Sequence, residues 1–334
     1  CTTFRHNHPS VPLICRDVAK LEVAEILEAT QLEAGEVNLV VGGPPCQGFS
    51  LAGKRVADDP RNKMFLEFVR IVQGLQPEAF VFENVSGLVT MQKGQALVAI
   101  VQAFEDIGYS CQYRVLSSAD YGVPQKRPRF ILIGSRDGKN IGFPQPSHLS
   151  FSSQATFFGR NTPPYLTSWD ALSDLPKILQ GEGSEEMDHS GSYKNEYQKT
   201  RRGTRMPGKI FNHRATSHSE PVIERYAAIP EGGNNSQVPF HLRTKKNNVY
   251  KIDSQKPSRT VTCNHRTDLL HPKVPRGTTV REAARLQSFD DDYQFFGNLT
   301  RKAKWVTQDD QVGNAVPPLL AKAIGQHIKE VMGW

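Results

Sequence analysis

The first part of the chain alternates short apolar runs with longer amphipathic stretches. Glu36-Val37-Asn38-Leu39-Val40-Val41 is an apolar run halted by Gly42-Gly43-Pro44-Pro45, which predicts a buried parallel strand ending in a loop. From Lys63 to Gln73, the residues Met64, Phe65, Phe68, Val69 and Val72 recur at helical spacing, and Pro77 follows soon after. Ala79-Phe80-Val81-Phe82 reads as the next strand. Gly94 to Ile107 reads as a second amphipathic helix, closed by Gly108. Tyr113 to Leu116 and Arg129 to Ile133 read as two further strands, with Tyr121 to Pro128 between them. This β-α-β-α-β order predicts an α/β fold built on a doubly wound sheet. Such sheets take ligands in the crevice beyond the carboxyl ends of their strands. Three polar stretches fall at that edge: Pro44 to Ser50, Glu83-Asn84-Val85, and Gln125 to Arg129, which leads into the last strand.

From about Phe143 to Lys256 the periodicity breaks down. Pro, Gly, Ser, Asn and basic residues dominate, but Phe, Tyr, Ile and Trp recur, so a second, irregular yet folded domain is expected. Pattern returns near Pro257 with Arg259-Thr260-Val261-Thr262. Val280 to Leu286 reads as a helix, and Pro317 to Val331 as a closing helix with proline at its start. No internal repeat is visible.

Composition changes this picture only in places. The 334 residues accommodate two domains, and 38% hydrophobic with 22% charged residues fits a globular chain with a sizeable core. No apolar run approaches the ~18 residues of a membrane span, and no signal peptide opens the sequence, which predicts a soluble intracellular protein. The net charge of +7 is uneven. Between Glu186 and Arg276 there are 17 Lys and Arg against 8 Asp and Glu, so the rest of the chain is slightly acidic. A basic segment of this kind suits a polyanion, although a merely solvated basic face has the same composition. The cysteines are Cys1, Cys15, Cys46, Cys111 and Cys263. Their odd number and the lack of a C-x-x-C spacing argue against a disulfide framework or a zinc site, and most should be small buried hydrophobes.

Candidate chemistry sits at the predicted sheet edge. Cys46 follows two prolines, which stiffen the loop, and a thiol on a stiff loop beyond a strand suits a nucleophile. The plain alternative is a buried cysteine in a tight turn. Glu83 ends a strand, where a carboxyl group can protonate or hydrogen-bond a ring nitrogen, or simply cap a helix. Gln125-Lys126-Arg127-Pro128-Arg129 places Arg127 and Arg129 on one face if extended. Two guanidinium groups there could hold a phosphate or a polar base edge, or could merely keep an edge strand from aggregating.

Together these stretches resemble the cytosine-C5 DNA methyltransferase family. The resemblance rests on Pro44-Pro45-Cys46-Gln47, Glu83-Asn84-Val85 and Gln125-x-Arg127-x-Arg129, in order. Arg259-Thr260-Val261-Thr262 with Arg281-Glu282-Ala283-Ala284-Arg285-Leu286-Gln287-Ser288-Phe289 looks like the family's ninth motif, and Gln311-Val312-Gly313-Asn314-Ala315-Val316-Pro317-Pro318 like its tenth. It spans nearly the whole chain apart from about Ser147 to Lys256, which occupies the place of the target-recognition domain. The resemblance implies a Rossmann-like methyltransferase sheet over residues 1–146, a target-recognition domain with the ninth motif over 147–306, and a C-terminal helix, 307–334, returning to the first domain. It implies a cytosine flipped out of duplex DNA, because the stacked ring is unreachable. Cys46 would attack C6, Glu83 would contact N3 and N4, and Arg127 and Arg129 would hold the cytosine and a nearby phosphate. The base contact is expected of Arg129. Gln47, Ser50, Asn84 and Gln125 are the further substrate-binding residues implied. The methyl donor is S-adenosyl-L-methionine, held by Asp17 on its adenine side, Pro44, Met64 and Asn314, with no metal. Asp17 is expected at a strand end after the apolar run Val11 to Cys15.

A monomer is expected, acting on double-stranded DNA in the cytoplasm, at the nucleoid in a bacterium, and paired with a cognate restriction endonuclease. Two other readings carry the same residues: a tRNA cytosine-C5 methyltransferase, and a catalytically inactive DNA-binding relative. The family opens with a strand and Phe-x-Gly-x-Gly, which the present sequence lacks. An N-terminally truncated sheet, a cofactor pocket without its glycine-rich side and impaired activity are therefore expected.

Overall fold

The computed structural model describes residues 1–45, 63–150, 162–189, 191–245, 248–299 and 306–334. Two short helices, α1 (Thr2–Asn7) and α2 (Val23–Thr30), precede β1 (Leu39–Gly42). Then come α3 (Lys63–Leu75), β2 (Ala79–Val85), α4 (Gln95–Glu105), β3 (Ser110–Ser117) and β4 (Pro128–Ser135). The strands form one sheet in the order β1-β2-β4-β3. β1 and β2 are parallel, whereas β4 is antiparallel to both β2 and β3. The sheet is therefore mixed. A parallel pair needs a crossover of a dozen residues or more, and the connection of residues 118–127 between β3 and β4 is too short to supply one.

Both faces are covered, as a doubly wound architecture requires. On one, Phe80, Phe82, Phe130 and Leu132 pack on Phe65, Phe68 and Val72 of α3 and Ile100 and Phe104 of α4. The Phe80 and Phe104 rings stack with centroids 4.1 Å apart. Each such buried side chain stabilises the fold by about 1.5–3 kcal/mol. Gly134 makes room for this cluster, because a Cβ there would lie 2.0 Å from the Phe80 ring. On the other face Val81, Ile131 and Ile133 pack on Leu320, Ile324 and Ile328 of the closing helix, Pro318–Met332. The closing helix thus returns to the sheet formed by the first part of the chain.

The N-terminal stretch departs from expectation in two respects. Residues 11–15 form no strand; Pro12 withholds a ladder donor there. Asp17 instead caps a 3-10 turn, Val18–Lys20, by accepting from the Ala19 N–H. Cys1 and Cys15 are joined by a disulfide, with Cα atoms 5.9 Å apart. An odd cysteine count cannot exclude a pair, and α1 with the turn after it folds the chain back far enough to make one. Cys111 is a free thiol, and Cys263 is half-buried.

Short elements make up the middle of the chain. They are α5 (Ser168–Leu172), β5 (Gly183–Asp188), α6 (Glu196–Arg201), β6 (Lys209–Arg214), α7 (Glu220–Ala228), β7 (Tyr250–Lys251), α8 (His265–Asp268) and β8 (Leu269–Leu270). β5 pairs antiparallel with β6, and β7 parallel with β8. Their core includes Leu172, Ile210, Ile252 and Val261, packed on α9 (Val280–Leu286) and on Val312 of α10 (Gln308–Asn314); the closing helix is α11. A reciprocal cap between Thr279 and Glu282 starts α9. All seven residues of α9 are buried, including Arg281, Glu282 and Arg285. Those charges are paired: Arg276 grips Glu282 at 2.7 and 2.8 Å, and Arg285 bonds Asp174 and Asp291.

Candidate active site

Parallel pairing brings the ends of β1 and β2 to one edge of the sheet. Because β4 runs the other way, its first residues arrive at the same edge, with Arg129 opposite Val85 and Ile131 opposite Glu83. Cross-strand partners share a face, as do residues two apart, so Glu83 and Arg129 are diagonal neighbours. Arg129 Nε lies 2.8 Å from Glu83 Oε1. Both side chains are mostly covered. Burial raises the Glu83 pKa above the usual carboxylate value, and the Arg129 and Arg127 charges offset only part of that rise.

Asn84, on the opposite face, donates from Nδ2 to the Pro44 carbonyl at 2.9 Å and so anchors the loop after β1 to β2. Gly43 touches Glu83 from the other side: a Cβ there would stand 2.8 Å from Oε2. Gly43→Ala is thus expected to displace the carboxylate and lower turnover on the order of 10²-fold, since about 1 Å of misplacement can cost that much. Steady-state kinetics beside a thermal melt checks this; wild-type turnover would show that the carboxylate tolerates displacement.

A cavity of about 460 Å³ opens at this edge, walled by Pro44, Pro45, Glu83, Asn84, Arg129 and Asn314, with Arg127 at its back. A second cavity of about 360 Å³ lies beyond the strap Gly42–Pro45, walled by Val18, Val41, Met64, Phe68 and Ile71. Pro44 and Pro45 line both. Gly42 is required at the strap because the Phe68 ring comes within 2.4 Å of where a Cβ would be.

Glu83, Asn84, Arg127, Arg129, Pro44 and Asn314 therefore meet at one cavity, and Met64 joins Pro44 at the next. Asp17 adjoins the second cavity through Val18, with its carboxylate on the Ala19 N–H at 3.1 Å. Gln125 is not at the cavity. It is wholly buried, and its amide is spent on Leu286, Gln287 and Val261. Arg127 is also spent inside, donating to the Val261 and Gly313 carbonyls, each at 2.7 Å. Burial and the Arg129 charge pull its pKa down to about 9 against the opposing pull of Glu83, so it remains charged at neutral pH. Cys46, Gln47 and Ser50 lie outside the described residues. Two residues at the site carried no sequence signal of their own. Met91 walls the first cavity, and Cys263 places its Sγ 3.1 Å from Asn314 Oδ1. Cys263 directly follows the Arg259–Thr262 motif, which was the available hint.

The sequence model of the C-5 cytosine-specific DNA methylases matches residues 1–330. The chain belongs to this family. It is 39% identical over 334 residues to the Type II methyltransferase M1.HphI of Haemophilus parahaemolyticus, covering 98% of this chain and 77% of that one. It is 35% identical to the Type II methyltransferase M.DdeI of Desulfomicrobium norvegicum, covering 98% and 80%. Among solved structures, a prophage-encoded protein of E. coli assigned to the DNA modification methyltransferases superposes with a TM-score of 0.77 at 25% identity, covering 100% of this chain and 90% of that one. This DNA cytosine-C5 methyltransferase accordingly has S-adenosylmethionine as its methyl donor and DNA as its substrate. No helix among the described residues is long and apolar enough to cross a membrane.

The methyltransferase's two cavities fit that donor in chemistry. The apolar slot of Val18, Met64, Phe68 and Ile71 suits a purine ring, and the Asn314 carboxamide at the first cavity suits an amino-acid end. When bound, S-adenosylmethionine would supply an electrophilic methyl group. The chain's own part is a protonatable carboxyl group, fixed by a guanidinium, facing the cavity that the Pro44-Pro45 strap borders.

Proposed function

We propose that the protein methylates C5 of a cytosine flipped out of double-stranded DNA, through a transient bond between Cys46 Sγ and cytosine C6. The observation that carries this reading is the Arg129–Glu83 pair at the cavity edge, beside the proline strap that leads directly into Cys46. Cytosine C5 is a weak nucleophile. Addition of the Cys46 thiolate at C6, with a proton passing from Glu83 to N3, turns C5 into the nucleophilic carbon of an enamine. Glu83 suits this transfer because burial keeps its proton available above the ordinary carboxylate range. After C5 is methylated, with S-adenosylhomocysteine as the leaving group, loss of the C5 proton drives elimination of the Cys46 thiolate, and return of the N3 proton to Glu83 restores the neutral aromatic ring. Arg129 holds Glu83 and contacts the base, while Arg127 braces the wall behind. Asp17, Pro44, Met64 and Asn314 hold the donor; Gln47, Ser50 and Asn84 border the substrate.

The division into a catalytic part (1–146), a target-recognition part (147–306) and a returning helix (307–334) belongs to the same reading. The basic excess of the middle part supports phosphate contacts, which position a duplex without reading its sequence. The Type II naming of the relatives supports a place in restriction–modification; the same reading has the protein working as a monomer in the cytoplasm beside a cognate restriction endonuclease, with no metal in the chemistry.

Incubation with S-adenosylmethionine and a duplex carrying 5-fluorocytosine tests the reading, because the C5 fluorine, unlike a proton, cannot leave as a cation and the adduct is trapped. A protein–DNA species stable to SDS, absent in Cys46→Ala, is expected. Trapping on fluorinated tRNA in place of the duplex would make the substrate RNA, and no adduct on either would mean a DNA-binding relative without the chemistry.

A further inference from the structure

Three chain segments converge behind the cavity, and they come from distant parts of the sequence. The edge loop of residues 125–127 grips one residue of the second segment with two side chains. Gln125 Oε1 accepts from the Val261 N–H at 2.7 Å, and Arg127 donates to the Val261 carbonyl. Arg127 also donates to Gly313 in the third segment, the end of α10 that carries Asn314. That end sits flush on the second: a Cβ at Gly313 would fall 2.3 Å from the Cys263 nitrogen. The triangle is closed by a residue outside it. Gln287, which follows α9 directly, accepts from Gln125 Nε2 at 3.2 Å and donates from its own Nε2 to the Val312 carbonyl at 2.5 Å. Gln125 and Gln287 are both wholly buried.

We infer that Gln287 is a positioning residue for methyl transfer, whose side-chain amide ties Gln125 to the Val312 carbonyl and thereby fixes where Arg127 and Asn314 stand at the cavity. This rests on the cavity as the seat of the reaction. A single amide serves because it offers an acceptor in one direction and a donor in the other; a carboxylate or an apolar side chain of equal size cannot do both. Without the donor, the buried Val312 carbonyl keeps only the longer bond from the Ala315 N–H at 3.3 Å, and the neighbouring peptides of Gly313 and Asn314 lose their tie to Gln287. The Gln287 side chain itself bonds Gln125 and Val312, so its effect reaches substrate and donor through those two residues. It also links α9, in the core shared with the middle of the chain, to both ends of the catalytic edge.

The test uses the full chain with the isosteric Gln287→Glu, which keeps the acceptor for Gln125 and loses the donor to Val312, and with Gln287→Leu. Hydrogen–deuterium exchange across residues 308–316 is expected to quicken at least tenfold in both variants. The kcat of each should fall at least tenfold, with KM for a DNA duplex within about threefold of wild type. The double variant Gln125→Leu, Gln287→Leu should lose no more than the worse single variant, because residues acting as one unit are not additive. Unchanged exchange at 308–316, a KM effect in place of a kcat effect, or additive losses would overturn the inference. Should Gln287→Leu fail to fold, Gln287→Glu alone decides by the same measurements. Absence of methyl transfer by the wild-type chain would count against the proposed function alone, since the exchange measurement does not need turnover.

Discussion

Glu83→Gln is expected to lower the rate of methyl transfer by about 10²–10⁴-fold, the range that loss of a positioned general acid commonly costs. The substitution keeps size and one acceptor but removes the proton that the proposed attack at C6 would pass to cytosine N3. It also cancels the charge that Arg129 Nε holds at 2.8 Å, leaving a mostly covered guanidinium without its carboxylate partner. Duplex affinity should change little, because phosphate contacts dominate it. The wild-type pH profile should carry the same signature. Burial raises the Glu83 pKa, so the protonated acid persists above the usual carboxylate range and activity falls as pH rises through the raised value. The glutamine amide of the variant has no such proton to lose, so that limb should vanish from its profile. The linked stability has the same sign: a raised folded-state value favours the native state at low pH and ceases to do so as pH rises past it. Single-turnover rates across pH, with filter binding for affinity, check both. A wild-type rate in Glu83→Gln would assign the proton to another group.

The sheet edge was legible in the sequence because it depends on local signals. An apolar run stopped by Gly-Gly-Pro-Pro ends β1, and a carboxylate after Ala79–Phe82 marks the far end of β2. Helix α9 matches the expected Val280–Leu286, since its reciprocal cap, Thr279 with Glu282, lies within its own first turn. What was not legible is long-range. Nothing local shows that Gln125 meets Gln287, 162 residues away, so its polar side chain at the edge suggested substrate and not a brace. Arg127 and Arg129 share a spacing that suggests shared work. Yet Arg127 turns inward to two carbonyls because the 261 and 313 segments close over it, while Arg129 keeps Glu83. The sense of β4 and the Cys1–Cys15 pair likewise depend on how the chain returns, which periodicity does not encode.

Arg285→Met is expected to destabilise the protein by about 3–5 kcal/mol, the usual cost of leaving a buried charge without its partner. Arg285 is fully buried and bridges two carboxylates that are equally buried. Its Nε and Nη2 bond Asp291 at 2.6 and 2.5 Å, and its Nη1 bonds Asp174 at 3.0 Å and the Ala171 carbonyl at 3.0 Å. Methionine replaces the aliphatic stem but leaves Asp174 with Arg202 alone, and Asp291 with His189 at 2.8 Å and Arg281 at 4.0 Å. Burial by itself would raise the Asp291 pKa; Arg285, with help from the His189 bond, overcomes that and holds it well below the usual carboxylate range. A depressed folded-state value contributes stability that is present above the unfolded pKa, about 3.9 for Asp, and is lost as pH falls through the folded one. In the variant Asp291 regains an ordinary or raised value, so protonation relieves it sooner. The gap between wild type and Arg285→Met should therefore be widest near neutral pH and narrow as pH falls toward the carboxylate range. Urea unfolding at several pH values measures this directly, and a neutral-pH difference under about 1 kcal/mol would mean that Arg202, His189 and Arg281 suffice. Because α9 carries Arg285 on the side of the irregular region and leads directly into Gln287 beside the catalytic edge, the variant's residual folded fraction should also exchange faster at 308–316. That coupling follows from one short helix whose charged side chains are all spent inside the fold.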